Sequence, residues 1–300
     1  MGAQLRLLRR RIRSVKSTAK ITRAQELIAS SRIIKAQQRM EAAVPYEREI
    51  TRAVSAVLSN SADIDHPLTV AKEQPASAGV LIVTSDRGFA GGFNANVLRE
   101  AEALAGHLRA RNVQIKPYVV GRKGITWHRF RSRPMSGEWA GFSDSPSYAH
   151  AKEIAEALVA AFEDDNGIDE IHIVYTGFVS MLTQDVRVTR VLPLEVEETT
   201  EQPAEGPLPY YEFEPTAGEV LNQLLPRYIE SRIFNALLQS AASEHASRRR
   251  AMKSATDNAN ELIRVFTQQM NQARQAEITQ EISEIVGGAN ALADASAGKE

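Results

Sequence analysis

This chain of 300 residues contains no cysteine. Disulfides, thiolate metal sites and cysteine nucleophiles are therefore excluded, and nothing points outside a reducing compartment. No apolar run approaches the ~18–20 residues that a bilayer-spanning helix requires, so no direct transmembrane segment is expected. The start, MGAQLRLLRRRIRS, has neither the apolar segment nor the cleavage-like site of a secretory signal, and no transit peptide is expected. Neither GxGxxG nor GxxxxGK[ST] occurs, nor GxSxG, HExxH or HxxxH, and the six histidines are scattered. The chemistry of phosphate loops, nucleophile elbows and histidine metal sites is thus unsupported: no catalytic, cofactor-binding or metal-binding residues and no cofactor are expected. Glycine and proline are absent from two long stretches, Ala3–Val44 and Arg227–Val286.

Those breaker-free stretches carry the pattern. Leu5, Leu8, Ile12, Val15, Ala19 and Thr22 recur at alternating steps of three and four, the heptad seam of a coiled coil. One position along, Arg6, Arg9, Arg13, Lys16, Lys20 and Arg23 keep the same rhythm, so one flank is a continuous basic stripe. Residues 1–40 hold eleven Lys or Arg against one acid, Glu26, in a chain whose net charge is −1. A basic end on an otherwise acidic chain suits an anionic partner surface. Pro45 can end or kink this helix, with Tyr46–Leu58 able to continue it, and residues 59–78 read as a loop.

The period then changes. GVLIVT, KPYVVG, IHIVYTGF and VRVTRVLPL are short β-rich runs separated by helical stretches such as Asn94–Arg111 and Ser147–Glu163. Strands alternating with helices predict βαβ units and a mainly parallel sheet. Val196–Pro215 is Glu- and Pro-rich and reads as a linker. In the last segment Ile229, Ile233, Leu237 and Ala241, then Leu262, Phe266, Met270 and Ala273, recur at helical spacing. At the standard rise Arg227–Val286 would be roughly 90 Å long and Ala3–Val44 roughly 63 Å. Helices of this length must lean on one another, and both leave the same α/β region, so they should run antiparallel. The C-terminal helix would then overhang its partner by about 18 residues, ~27 Å, and expose Ile278, Ile282 and Ile285. The expected fold class is α/β: a long antiparallel coiled coil of the N- and C-terminal helices with a Rossmann-like α/β domain inserted between them. The expected divisions are 1–58 (N-terminal coiled-coil helix), 79–195 (α/β domain), 196–217 (linker) and 218–292 (C-terminal helix and shaft tip).

SDRGFAGGFN, Ser85–Asn94, stands between a strand and a helix, where phosphate loops sit, but it reads as a glycine-bearing turn and helix cap. The basic stripe could meet nucleic acid, an acidic protein surface or only solvent. Residues 1–45 hold no aromatic to stack on bases, which weighs against nucleic acid. Arg248–Arg250 form a second basic patch, and His245 beside Glu244 reads as part of a solvated polar face. Composition and spacing therefore predict a two-helix stalk with an α/β head, structural rather than catalytic. A nucleic-acid-binding coiled coil and a stand-alone α/β enzyme are the alternatives.

ITQEISEIVGGANA, Ile278–Ala291, resembles the C-terminal signature of the gamma subunit of F-type (proton-translocating) ATP synthases, through Ile278, Thr279, Glu281, Glu284, Gly288 and Ala289. AMKSATDNANELI, QARQAEITQE and RRIRSVKSTAKITRAQELIASSRIIKAQ resemble the family as well, and SDRGFAGGFN is similar to its SDRGLCGGLN. The resemblance covers the whole chain and its motifs are specific. It implies a central rotor shaft, itself non-catalytic, that couples c-ring rotation driven by proton flow to the conformational cycling of catalytic beta subunits. The implied partners are the alpha and beta subunits, the epsilon subunit and the membrane c-ring. The implied location is the cytoplasmic face of a bacterial plasma membrane, peripherally bound, and no nucleic acid partner is implied.

Carried onto this sequence, Arg274, Gln275, Thr279 and Glu281 match family positions that hydrogen-bond to beta-subunit loops. Arg248 matches a position near the lower shaft. Arg9, Arg13 and Lys16 would face acidic beta-subunit loops, and Ile278, Ile282 and Ile285 the apolar sleeve of the hexamer. Two departures stand out: Gln25 replaces the usual Met of the RAME run, at a coupling-sensitive contact, and Ala90 replaces the Cys of SDRGLCGG. There is also no cysteine-bearing insertion of the chloroplast type.

Overall fold

The computed structural model describes residues 2–59, 68, 72, 74–164, 167–194, 214 and 216–297. Most of the expected linker 196–217 and of the expected loop 59–78 lies outside the described residues. The elements run α1 (Gly2–Ser59), β1 (Ser77–Val83), α2 (Phe93–Ala110), β2 (Gln114–Val120), α3 (Arg122–Phe130), β3 (Gly137–Trp139), α4 (Tyr148–Glu163), β4 (Glu170–Phe178), β5 (Gln184–Leu192) and α5 (Ala217–Ala297). They divide into two compact units, residues 1–28 with 251–300 and residues 29–250.

In the first unit the seam of α1 is where the heptads place it. Leu8, Ile12, Ala19, Thr22 and Glu26 are buried, while Leu5 and Val15 are half-buried. On α5 the matching stripe is Met252, Thr256, Ala259, Ile263, Phe266, Met270 and Ala273. Leu262, expected on that stripe, is instead exposed: stepping back three residues from Phe266 rather than four puts Ile263 in the seam. The hydroxyls of Thr22 and Thr256 lie 2.7 Å apart, and the Arg11 guanidinium stands 5.9 Å from the Phe266 ring centre. Moving toward the start of α1 therefore moves toward the end of α5, so the pair is antiparallel. A seam repeating at 3.5 residues is what a left-handed coiled coil uses.

In the second unit β1 lies at the centre of a sheet ordered β3-β2-β1-β4-β5, parallel except for β5. Every residue of β1 is buried, as expected for a strand covered on both faces. Alternate side chains serve the two sides. Ala78, Val80 and Ile82 pack with Val97, Leu98, Ala101 and Leu108 of α2. Leu81 and Val83 join a larger core with Ile154 and Leu158 of α4, Val54 and Val57 of α1, and Leu221, Leu225, Ile229 and Ile233 of α5. The α1 seam continues here through Ala29, Ile33, Ala36, Ile50 and Val54, all buried, in the same heptad phase. Pro45 sits on the exposed side between them, so α1 passes through it without leaving the seam. Pro226 is likewise inside α5, which starts at Ala217 and runs through Gly287 and Gly288.

Candidate interaction surfaces

Within the first unit, the end of α5 is open. Every residue from Ile278 to Asn290 is exposed, and Ile278, Ile282 and Ile285 have 45%, 56% and 71% of their surface free. Steps of four and three place the three isoleucines on one side of the helix. No described residue of this chain covers them. A buried Ile gains roughly 1.5–3 kcal/mol over an exposed one, a gain this row forgoes. Arg274, Gln275, Thr279 and Glu281 are exposed beside it, and Arg274 and Gln275 border a groove with Arg264, Gln268, Asn271 and Ile278. On α1, Arg9, Arg13, Lys16 and Gln25 are all exposed, so the basic flank runs along the outside of the coiled coil.

Within the second unit, the SDRGFAGGFN turn leaves the C-terminal end of β1 beside β4, where the strand order reverses and α/β folds place ligands. Here the chain fills that place itself. The Asp86 carboxylate accepts N–H bonds from Arg122 (3.1 Å), Gly141 (2.8 Å) and Ser143 (3.0 Å). Burial would raise this carboxyl, but those N–H donors outweigh it and hold it below the usual carboxylate range. Because Arg122 opens α3, the anion at that helix start is the chain's own Asp86. Close approach of the turn depends on Gly121: at φ +95, a Cβ there would lie 2.3 Å from the Thr84 carbonyl oxygen. Asn94, in the first turn of α2, ties the turn back by accepting the Ser85 N–H at 2.9 Å, and Gly92 stands at the N-cap of α2, so SDRGFAGGFN is a glycine-bearing turn leading into a helix start.

The same turn is clamped by α5. Arg248 donates to the carbonyl oxygens of Gly88 and Arg87, both at 3.3 Å, and to the Glu244 carboxylate at 2.6 Å. It is 7% exposed, so this residue of the second basic patch is turned inward, not toward a partner. Arg250 is spent on the Leu182 carbonyl and the Gln184 side chain. Burial pushes Glu244 up, against the pull of Arg248 and of the Ser143 hydroxyl. His245 corrects the solvated-face expectation outright: it is 2% exposed and its Nε2 lies 3.1 Å from the Asp144 carbonyl oxygen. Burial, with the charges of Arg248 and Arg32, pushes its pKa down to about 4, opposed by the Asp144 groups. The signal for this burial was present in the small residues around it, Ser240, Ala241, Ala242, Ser243 and Ala246, which let other elements approach on every side. Among the described residues no group of carboxylates and histidines is arranged to hold a metal ion, and no helix is long and apolar enough to cross a membrane.

Comparison with known proteins bears on these surfaces. The family model for ATP synthase matches residues 4–292. The chain is 65% identical over 295 residues to the ATP synthase gamma chain of Acidothermus cellulolyticus, covering 97% of this chain and 98% of that one. It is 60% identical over 306 residues to that of Thermobifida fusca, with both chains covered in full. Among solved structures, a rotor chain of the Euglena gracilis mitochondrial ATP synthase is similar in fold, with a TM-score of 0.68 at 16% identity over 93% of this chain and 100% of that one. A central stalk/c-ring chain of the Tetrahymena thermophila mitochondrial ATP synthase gives a TM-score of 0.58 at 22% identity, over 78% and 99%.

Proposed function

The chain belongs to the ATP synthase gamma chain family, and on that premise we propose that it is the central rotor shaft of an F-type ATP synthase. It joins ring and membrane sectors: rotation of the c-ring, driven by proton flow, turns the shaft inside a hexamer of alpha and beta subunits. The asymmetric shaft drives successive beta sites through different nucleotide affinities and so regulates ATPase activity and proton flow. The chain itself catalyses nothing. The segments 1–58 and 218–292 serve as shaft and tip, and 79–195, followed by the linker 196–217, serves as the head near the epsilon subunit and c-ring. The complex is placed on the cytoplasmic face of a bacterial plasma membrane.

The observation that carries this reading is the uncovered isoleucine row at the end of α5. A row of large apolar side chains on an outer helix face is an interaction surface. From Ile285 to Ala293 the sequence carries no charge, so this end offers apolar contact without strong directional bonds, as suits a surface that slips past three equivalent partners. Arg274, Gln275, Thr279 and Glu281 reach beta-subunit loops just below it. The Arg9, Arg13 and Lys16 flank meets acidic loops, with Gln25 at a contact sensitive to coupling.

The test is ATP hydrolysis by purified alpha and beta subunits from the same source, with and without this chain, after gel filtration. The expected result is co-elution with the hexamer, no activity of the chain alone and a raised sustained turnover. Failure to join the hexamer overturns the reading. Reversal of Arg9, Arg13 and Lys16 to Glu is expected to weaken assembly or coupled synthesis; unchanged synthesis would make the stripe a solvated face.

A further inference from the structure

Within residues 29–250, three loops follow the C-terminal ends of the parallel strands β1, β3 and β4, along one edge of the sheet. Open α/β sheets bind ligands at that edge. Here all three loops bind α5. From the first, the Gly88 and Arg87 carbonyl oxygens accept from Arg248. From the second, the Ser143 hydroxyl accepts the Asp86 N–H at 2.8 Å and donates to the Glu244 carboxylate. The Asp144 carbonyl oxygen accepts from His245 Nε2 at 3.1 Å. From the third, the Leu182 carbonyl oxygen accepts from Arg250. Gln184, which opens β5, accepts from Arg250 at 3.0 Å and from the Ser247 hydroxyl at 3.3 Å.

At about 100° per residue, Glu244, Arg248 and His245 share one side of the helix, and Ser247 and Arg250 lie on the other, so the five span about 220° of its circumference. The surface around them is made of small buried residues, Ser240, Ala241, Ala242, Ser243 and Ala246, which raise no ridges to interlock with a neighbour. Apolar burial has no direction, so by itself it would leave such a helix free to roll about its own axis. Hydrogen bonds weaken steeply when misaligned. Lower down, α5 is held differently, by Leu221, Leu225, Ile229 and Ile233 in the larger core.

We propose that the three loops form a collar that fixes the roll of α5 against the sheet, with Ser247 and Arg250 as positioning residues on one side and Glu244, His245 and Arg248 on the other. The helix takes the place that a ligand takes in other open α/β sheets. This inference rests on the rotor reading for its purpose: a head that is turned passes its turning force to α5 through the collar. The collar itself is a property of the chain alone.

The chain has no cysteine, so spin labels attach only where thiols are introduced. Glu100→Cys on α2 and Lys253→Cys on α5, both exposed, report the distance distribution between head and helix in the full-length chain by pulsed electron resonance. Arg250→Ala/Ser247→Ala removes one side of the collar outside the core. It should at least double the width of the distribution while lowering Tm by less than about 3 °C. Arg250→Lys, which keeps a donor, should recover part of the narrow distribution. Ile233→Ala, in the core below, should lower Tm by more than about 5 °C and leave the width unchanged. A width unchanged in the Arg250→Ala/Ser247→Ala variant, or an equal broadening in Ile233→Ala, would overturn the collar. Because no partner subunit is present, either result leaves the rotor reading to its own assembly test.

Discussion

Two stretches of one helix reverse the usual relation between polarity and burial. Between Ser231 and Arg248, α5 is buried on almost every face, yet it carries Ser231, Asn235, Ser240, Ser243, Glu244, His245 and Arg248. Between Ile278 and Asn290 it is exposed on every face, yet it carries Ile278, Ile282, Ile285 and Val286. The first stretch meets most of its polar needs from within this chain: Arg248 holds Glu244 and the turn carbonyls, and the Asn235 and Arg232 side chains hold Glu47, while Ser243 Oγ and His245 Nδ1 have no hydrogen-bond partner among the described residues. The second stretch has apolar groups with nothing to cover them. A helix whose charged groups are held from within and whose apolar part is open has been shaped for a surface outside the chain.

The comparison breaks most sharply at its buried charges. Arg248→Ala would strand Glu244 in the interior, and urea unfolding should register a loss of about 3–5 kcal/mol. The double variant with Glu244→Ala should recover part of that loss; no recovery would mean that the turn contacts, not the ion pair, dominate. Ile233→Ala empties a fully buried position facing the larger core and should cost roughly 2–5 kcal/mol in the same assay.

Acidification probes the buried histidine. Its pKa is depressed from 6.5 to about 4, so the unfolded chain takes up a proton that the folded chain refuses. The contribution is intact above about pH 6.5 and is lost as pH falls toward 4, a fall of about 3 kcal/mol at most. Glu244, pushed up, works in the opposite sense, and Asp86, held down, in the same one. The contribution of His245 is thus read from the difference between Tm–pH curves of the parent chain and His245→Gln, which should converge at low pH. The smallest effect is expected at the open end: Ile285→Ala in the isolated chain should change unfolding by no more than about 0.5 kcal/mol.

Much of this could be read from spacing. The 3.5-residue seam of α1 needs no tertiary knowledge, because a stripe at that period can only be a packed helix face. Parallel strands alternating with helices announced the central sheet. The misses have local causes. β3 has three residues and takes its place from pairing with β2, and α3 opens on a glycine turn that reads as a breaker. The C-terminal helix, expected over 218–292, runs Ala217–Ala297, passing Pro226 and the Gly287–Gly288 pair without a break. Glu244 and His245 read as solvated because polar residues on a helix look alike until their partners are known. Those partners, Arg248 excepted, come from loops far away in sequence, such as Ser143 and Asp144.

Hydrogen exchange at residues 277–290, measured in the full-length chain before and after addition of alpha and beta subunits, tests the central claim most directly. In the isolated chain these amides should exchange quickly, since no tertiary contact protects them. On assembly they should become strongly protected, and Ile282→Asp should reduce that protection while leaving the exchange of β1 and β4 unchanged. Protection that does not change on assembly, with the chain bound to the hexamer, would show that the isoleucine row is not the surface the partners cover.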